Sequence, residues 1–380
     1  MIAFKNAKLI LENEILENAT LITHNGVITA FGKDVEIPNG AEVIDAHGNY
    51  LAPGFVDIHV HGGGGYDFCF DPINASKYFL SHGETTVLAT TYYHLDKNGL
   101  IEVTKTIKQA MASGEADNIA GIYSEGPYMN PKYGASPEKN KWKGEITLDA
   151  YKELIEESKD IVKVWAVAPE REGIENFVRD AKLLNPKVKF ALGHSEATPE
   201  QAFALKKYGL SIMVHCTNAT GRIPSTSGGT RSCGPDEACF LDDDMYAELI
   251  CDSQAIHVRP DMQKLIMKIK GIDKVILISD SFVSLEPTPD KFKHITDLSF
   301  DANGGLSGSK LTLDVSLKNV IKHTGCSIVD AIKMASTNPA KAVGLYDSVG
   351  SIQIAKKANL VMLDENYNLL EVYLSGKKVK

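Results

Sequence analysis

Two histidines separated by one valine, His59-Val60-His61, stand directly before four consecutive glycines, Gly62 to Gly65. Further along the chain come Glu125 in Ser-Glu-Gly-Pro, His194 in Gly-His-Ser, His215, His257, and Asp280 in Ser-Asp-Ser. One carboxylate with several imidazoles is a donor set suited to Zn²⁺ or another divalent first-row ion. Such an ion brings the pKa of water toward neutrality and polarises a carbonyl oxygen. A carboxylate beside it, here Asp280, would take the proton from the attacking water and pass it to the leaving group. The chemistry is metal-assisted hydrolysis of an amide or a related bond.

Taken singly, each of these residues has an ordinary explanation. His59 and His61 could be polar residues at a strand end, and His194 and His215 hydrogen-bonded core histidines. Glu125 could serve a turn, and Asp280 could cap a helix. What outweighs these readings is the position of each residue in the pattern of strands and helices. Short apolar, β-branched runs recur at Phe55–His59, Thr85–Thr90, Ile119–Tyr123, Ile161–Val167, Lys189–Gly193, Ser211–His215, Glu248–Cys251 and Val275–Ser279. Helical patterns fall between many of them, at Leu148–Lys159, Ile174–Leu184, Pro199–Tyr208 and Asp261–Lys270, and another follows at Leu313–His323. Thr198, Pro199 and Gln201 have the types and spacing of a capped helix start.

Nearly continuous apolar strands that alternate with helices imply a parallel sheet covered on both faces. Eight of them predict an α/β fold of the (β/α)₈ TIM-barrel class, whose active sites lie where strands end and loops begin. The alternative, an open doubly wound sheet, lacks its phosphate fingerprint, because the four glycines do not match G-x-G-x-x-G. On the barrel reading His59 and His61, Glu125, His194, His215 and Asp280 all stand at the ends of different strands, on one rim. A period of two turns His59 and His61 to the same side. The glycines are expected to give a side-chain-free approach to the metal. Gly304 to Lys310 fails the phosphate-loop spacing and is expected to be a turn entering the helix at Leu313. His24, His47, His82, His94, His294 and His323 fall outside the rim pattern and carry no expected role.

The segments at the two ends differ from the middle. Residues 1–52 and 353–380 show short strands around turns such as Asn25-Gly26 and Asp364–Asn368, and are expected to pair into a small β-sandwich domain beside a barrel of residues 53–352. The chain of 380 residues is 43% hydrophobic and 23% charged, with a net charge of −9. That balance lacks the basic footprint of a nucleic-acid binder. No apolar run approaches membrane-spanning length, and the first residues carry no apolar signal core. The six cysteines form no C-x-x-C pair, so no disulfide framework is expected and a cytoplasmic location is. Arg222 and Arg231 lie close together in one polar loop, where a small anion could be held.

Together these residues resemble the N-acetylglucosamine-6-phosphate deacetylases of the amidohydrolase superfamily. The resemblance runs along nearly the whole chain: Leu51 to Asp57, Ser124 to Pro127, Leu192 to Ser195, His215 with Asn218-Ala219, Ile256 to Val258, Ile278 to Asp280, Gly305 to Ser309 and Ala335 to Ala340. It implies removal of the acetyl group from an N-acetylhexosamine 6-phosphate, most simply N-acetylglucosamine 6-phosphate, in amino-sugar catabolism. It implies one or two divalent ions per subunit, with Zn, Fe, Mn and Co all open. Glu125, His194 and His215 would hold one ion, with Asp280 as acid and base. His59 and His61 place the chain by residue type with the members that hold a second. Asn218, Ala219, His257 and Leu306 would contact the sugar phosphate. Members are commonly homodimers in which an Arg reaches the neighbour's site, and Arg231 matches it best, with Arg222 the alternative.

The chain departs from the family in two places. Ser136 stands in Gly134-Ala135-Ser136 where a His is usual, and the loop from Cys216 to Gly229 is altered. Both bear on which sugar is accepted, including N-acetylgalactosamine 6-phosphate. Another scaffold member, such as a cyclic-amide hydrolase, commonly places a lysine at the end of the fourth strand. Here that strand runs Val164-Trp165-Ala166-Val167-Ala168-Pro169-Glu170, without one. A non-enzymatic relative has no need of a proton-transfer carboxylate beside a metal.

Overall fold

The computed structural model describes residues 1–380. Eight parallel strands follow one another in space as they do in sequence: Phe55–Val60, Glu84–Thr91, Ile119–Ser124, Val162–Val167, Lys189–Leu192, Leu210–Met213, Tyr246–Ile250 and Val275–Ile278. The second of them is buried along its whole length, as is the first. That is the signature of a sheet covered on both faces. The last strand returns to the first at the C-terminal rim. There Asp280 N–H donates to the His59 carbonyl at 2.9 Å, and His61 N–H donates to the Ser281 carbonyl at 2.9 Å. Lower down, Ser279 N–H donates to the buried Asp57 carboxylate at 3.2 Å. The barrel is thereby nearly closed.

Helices cover its outside. Ile174–Leu184 buries Ile174, Phe177, Val178 and Ala181, the i, i+3, i+4, i+7 stripe of an amphipathic helix. One core cluster lies between strands and helices and contains Phe177, Val178 and Leu317 with Val167 and Leu192. A second contains a side chain from every barrel strand, among them Val56, Tyr123, Val164, Ile212 and Ile276, and fills the barrel. The helix at Pro199 carries the expected capping box between Thr198 and Gln201, but its α-helical part ends at Ala204 and a 3₁₀ turn spans Lys206–Tyr208.

Five helices were not visible as patterns: Pro72–Ser81, Lys97–Ala112, Pro235–Leu241, Ile328–Ile332 and Asn338–Ala342. The segment expected to be a turn at Gly304 to Lys310 is instead half of a hairpin. Leu306–Ser309 pairs antiparallel with Leu298–Phe300. Ile295, Leu298 and Phe300 form a small core beneath it, and Phe292 stacks on Phe300 at 5.3 Å. A three-residue strand is too short to announce itself by alternation.

Both ends of the chain build a single mixed eight-stranded sheet. Its order is Lys377–Lys378, Leu369–Leu374, Leu360–Leu363, Tyr50–Pro53, Ile2–Ile10, Ile15–His24 and Val27–Gly32, with Glu42–Asp45 also paired to Ile2–Ile10. Asn25 and Gly26 both have positive φ, as a two-residue hairpin turn requires. No helix is long and apolar enough to cross a membrane.

Candidate metal centre

Each candidate ligand stands at or just past the C-terminal end of a barrel strand. His194, His215 and Asp280 do so with φ of 45°, 24° and 46°, left-handed values that cost a non-glycine residue about 1–3 kcal/mol each. The hydrogen bonds of the rim hold these conformations, so strain is concentrated where the side chains converge. His59 and His61 face the same space, as period two requires, with ring centroids 5.4 Å apart. His59 stacks on Tyr123 at 4.6 Å, and His61 on Tyr92 at 4.5 Å.

Two triads result. In one, Glu125 Oε1 lies 2.9 Å from His194 Nε2 and 3.3 Å from His215 Nε2, and the two nitrogens are 3.1 Å apart. In the other, Asp280 Oδ1 lies 3.7 Å from His59 Nε2 and 3.5 Å from His61 Nε2. Glu125 stands between them, with Oε2 3.5 Å from His61 Nε2. All six residues are buried.

The donor set fits a divalent ion. Ligands around a tetrahedral ion with bonds of about 2.0–2.1 Å lie roughly 3.3 Å apart, close to the spacing of the first triad. His59 Nε2 is buried with no hydrogen-bond partner. The electrostatics agree. Burial disfavours charge on His59, but Glu248, Asp280 and Glu125 outweigh it and push the imidazole up to about 10. Burial likewise opposes charge on His215, and Glu125 and Asp280 overcome it. Burial pushes the Glu125 carboxyl up, yet His194, His215 and His61 hold it well below the usual carboxylate range. The same balance, with His61, His59 and His215 against burial, lowers Asp280. Carboxylates that keep their charge in a buried site, and draw protons onto His59 and His215, create a demand for positive charge where the ligand atoms meet.

His61, Glu125, His194, His215 and Asp280 line a cavity of about 680 Å³, with His59 buried behind them. Asn218, Ala219, His257 and Leu306 line it, as expected of substrate contacts, and so does Ser136. Asn218 donates its side-chain amide to the His257 carbonyl at 3.0 Å, and His257 is held through Nδ1 by Asp252 at 3.1 Å. Arg231 and Arg222 do not line it. Both are exposed and face Glu237, at 2.7 Å and 3.9 Å.

The expectation for the glycines is corrected. None of Gly62 to Gly65 lines the cavity. A Cβ on Gly62 would strike the Tyr66 backbone, and one on Gly63 would come within 2.7 Å of Tyr78 and Phe79. Gly62 to Gly64 are small because a hairpin and the following helix pack against them, not because substrate passes over them, whereas Gly65 faces open space with a φ of 91°.

Several residues of the site were missed. His94 lines the cavity together with Tyr93 and Lys139. Burial, then His61, hold His94 below its ordinary value. Glu170 accepts from the Ser195 hydroxyl at 2.7 Å and from Glu196 N–H at 2.8 Å, fixing the loop after His194. Glu248 accepts from His59 Nδ1 at 3.0 Å. A charged residue inside the apolar run Ala247-Glu248-Leu249-Ile250 was the available signal.

Residues 50–379 match the amidohydrolase family. Over its full length the chain is similar to N-acetylgalactosamine-6-phosphate deacetylase of Escherichia coli, at 27% identity covering 97% of each chain. It is similar to N-acetylglucosamine-6-phosphate deacetylase of Haemophilus influenzae at 28% identity, covering 99% of this chain and 98% of that one. The crystal structure of N-acetylglucosamine-6-phosphate deacetylase from Pasteurella multocida superimposes with a TM-score of 0.87 at 25% identity, covering 99% of both.

Proposed function

The chain belongs to the amidohydrolase family, and on that premise we propose that it is a metal-dependent deacetylase of N-acetylhexosamine 6-phosphates, with N-acetylglucosamine 6-phosphate the preferred substrate. The products are the amino-sugar phosphate and acetate. The observation that carries this reading is the convergence of two buried triads, one of which includes Asp280, at one cavity, in a chain similar over its full length to deacetylases of both epimers.

Glu125, His194 and His215 would hold one ion, and His59 and His61 with Asp280 a second; zinc suits these donors best. An ion so held makes water more acidic and polarises an amide carbonyl. The residues of the chain do the rest. Asp280, kept ionised by the imidazoles around it, accepts the proton of the attacking water as the new C–O bond forms. It then returns that proton to the nitrogen as the C–N bond breaks, so the amine leaves neutral. His257, Asn218 and the Ala219 backbone orient the sugar phosphate from the cavity wall. We further place the protein in the cytoplasm as a homodimer, with Arg231 of one subunit offered to the phosphate in the other.

An acetate-release screen with N-acetylglucosamine and N-acetylgalactosamine, each free and 6-phosphorylated, tests the reading. Turnover of a 6-phosphate at least tenfold above its free sugar is expected, with the gluco epimer ahead. Preference for the galacto epimer would correct the substrate, and the first of the two relatives makes that the second reading. No release from any of the four would refute it.

A further inference from the structure

Glu248 lies in the middle of the seventh barrel strand and is fully buried. Its only ion-pair partner is His59. A carboxylate taken out of water without lysine or arginine is costly unless its hydrogen bonds are well made. Here one oxygen makes two of them. Glu248 Oε2 accepts from His59 Nδ1 at 3.0 Å and from the backbone N–H of His215 at 3.1 Å. His59 belongs to one triad and His215 to the other.

These two bonds have different consequences. The bond to Nδ1 puts the hydrogen of the neutral His59 ring on that nitrogen and leaves the Nε2 lone pair free for an ion, on the side that faces Asp280 and Glu125. Such a partner also raises the basicity of the ligand. His59 has no other hydrogen bond to its ring; Tyr123 only stacks against it. The bond to His215 is to backbone, and His215 keeps further backbone support because Asn218 N–H donates to its carbonyl at 2.7 Å.

We propose that Glu248 is the positioning residue that builds the second metal site, by holding His59 with Nε2 presented to the ion. The proposal rests on the two-ion form of the reading above. Glu248 touches neither substrate nor ion and acts through His59.

Zinc binding to the full-length chain, freed of metal and titrated against a competing chelator, tests this without any measurement of turnover. Two ions are expected for the unaltered protein. In Glu248→Ala one ion should bind about 10–100-fold more weakly, and the other should stay within a few-fold of its original affinity. A His61→Ala variant identifies the weakened ion as that of the His59 side. Glu248→Gln keeps an acceptor oxygen of the same reach, so it guards against a failure of Glu248→Ala to fold, and it should weaken the same ion by about tenfold, at the low end of that range. Unchanged affinities in both variants, equal loss at both sites, or uptake of a single ion by the unaltered protein would overturn the proposal. If zinc binds as expected but no hexosamine phosphate is deacetylated, the substrate reading fails and the role of Glu248 stands.

Discussion

Replacing Asp280 by Asn separates holding from catalysis. Asp280 is pinned by its backbone on both sides: its N–H donates to the His59 carbonyl at 2.9 Å, and its carbonyl accepts from Ser309 N–H at 2.7 Å. Its φ is 46°, and Asn is among the few residues that tolerate such a value. The substitution is therefore nearly isosteric and suits the backbone. It still offers an oxygen near His59 and His61, but that oxygen no longer takes a proton at neutral pH. Loss of acid–base catalysis is worth about 10²–10⁴ in rate, or roughly 2.7–5.5 kcal/mol at 1.36 kcal/mol per tenfold. Steady-state acetate release should show the loss in kcat with KM little changed, while metal content stays that of the original protein. A drop of less than tenfold with both ions in place would refute the assignment of Asp280. Loss of ions together with activity would show that Asp280 acts chiefly as a ligand. Asp280→Ala serves as a contrast, because alanine is disfavoured at this φ and should also lower the melting temperature.

Removing metal with a chelator should abolish turnover and lower stability, by about 2.7 kcal/mol per ion for protein previously held at a hundredfold excess over Kd; melting curves with and without added zinc check this, and coincident curves would count against a metal centre. Gly63→Ala should cost about 1–3 kcal/mol from overpacking against Tyr78 and Phe79, read as a lower urea midpoint with full metal content; an unchanged midpoint would reject the packing account of the glycines. Arg231→Ala should raise KM for 6-phosphorylated substrates far more than for the free sugars, with little change in stability because the pair with Glu237 is exposed. Equal effects on both substrate classes would make Arg231 structural.

The barrel was legible because buried parallel strands read as nearly continuous apolar runs, so their ends could be located to within two or three residues. The candidate ligands were legible for the same reason: a histidine or carboxylate that closes an apolar run stands at the rim. What remained hidden depends on contacts across the barrel. Glu248 sits inside a strand rather than at its end, and only the fold brings it to His59. His94 and Lys139 reach the cavity from separate loops, and nothing in their local sequence marks them. The glycines were misjudged because their neighbours, Tyr78 and Phe79, lie on a helix whose pattern was itself missed. In Pro72–Ser81 the apolar residues do not keep to one buried stripe: Pro72, Ala75, Ser76 and Phe79 are buried, while Ile73, Tyr78 and Leu80 are half-buried.

The sheet built from both ends of the chain sets an order of events during synthesis. Tyr50–Pro53 pairs on one side with Ile2–Ile10, which is made before it, and on the other with Leu360–Leu363. Roughly 300 residues separate the two, so at about 5–20 residues per second the second edge stays open for about 15–60 s on the ribosome. An unpaired edge is a template for wrong partners. Pro53 ends that edge with no N–H to offer, and the strand is only four residues long. The nascent chain thus presents a short and blunted edge while it waits for its partner strand, and the barrel between them is completed in the same interval.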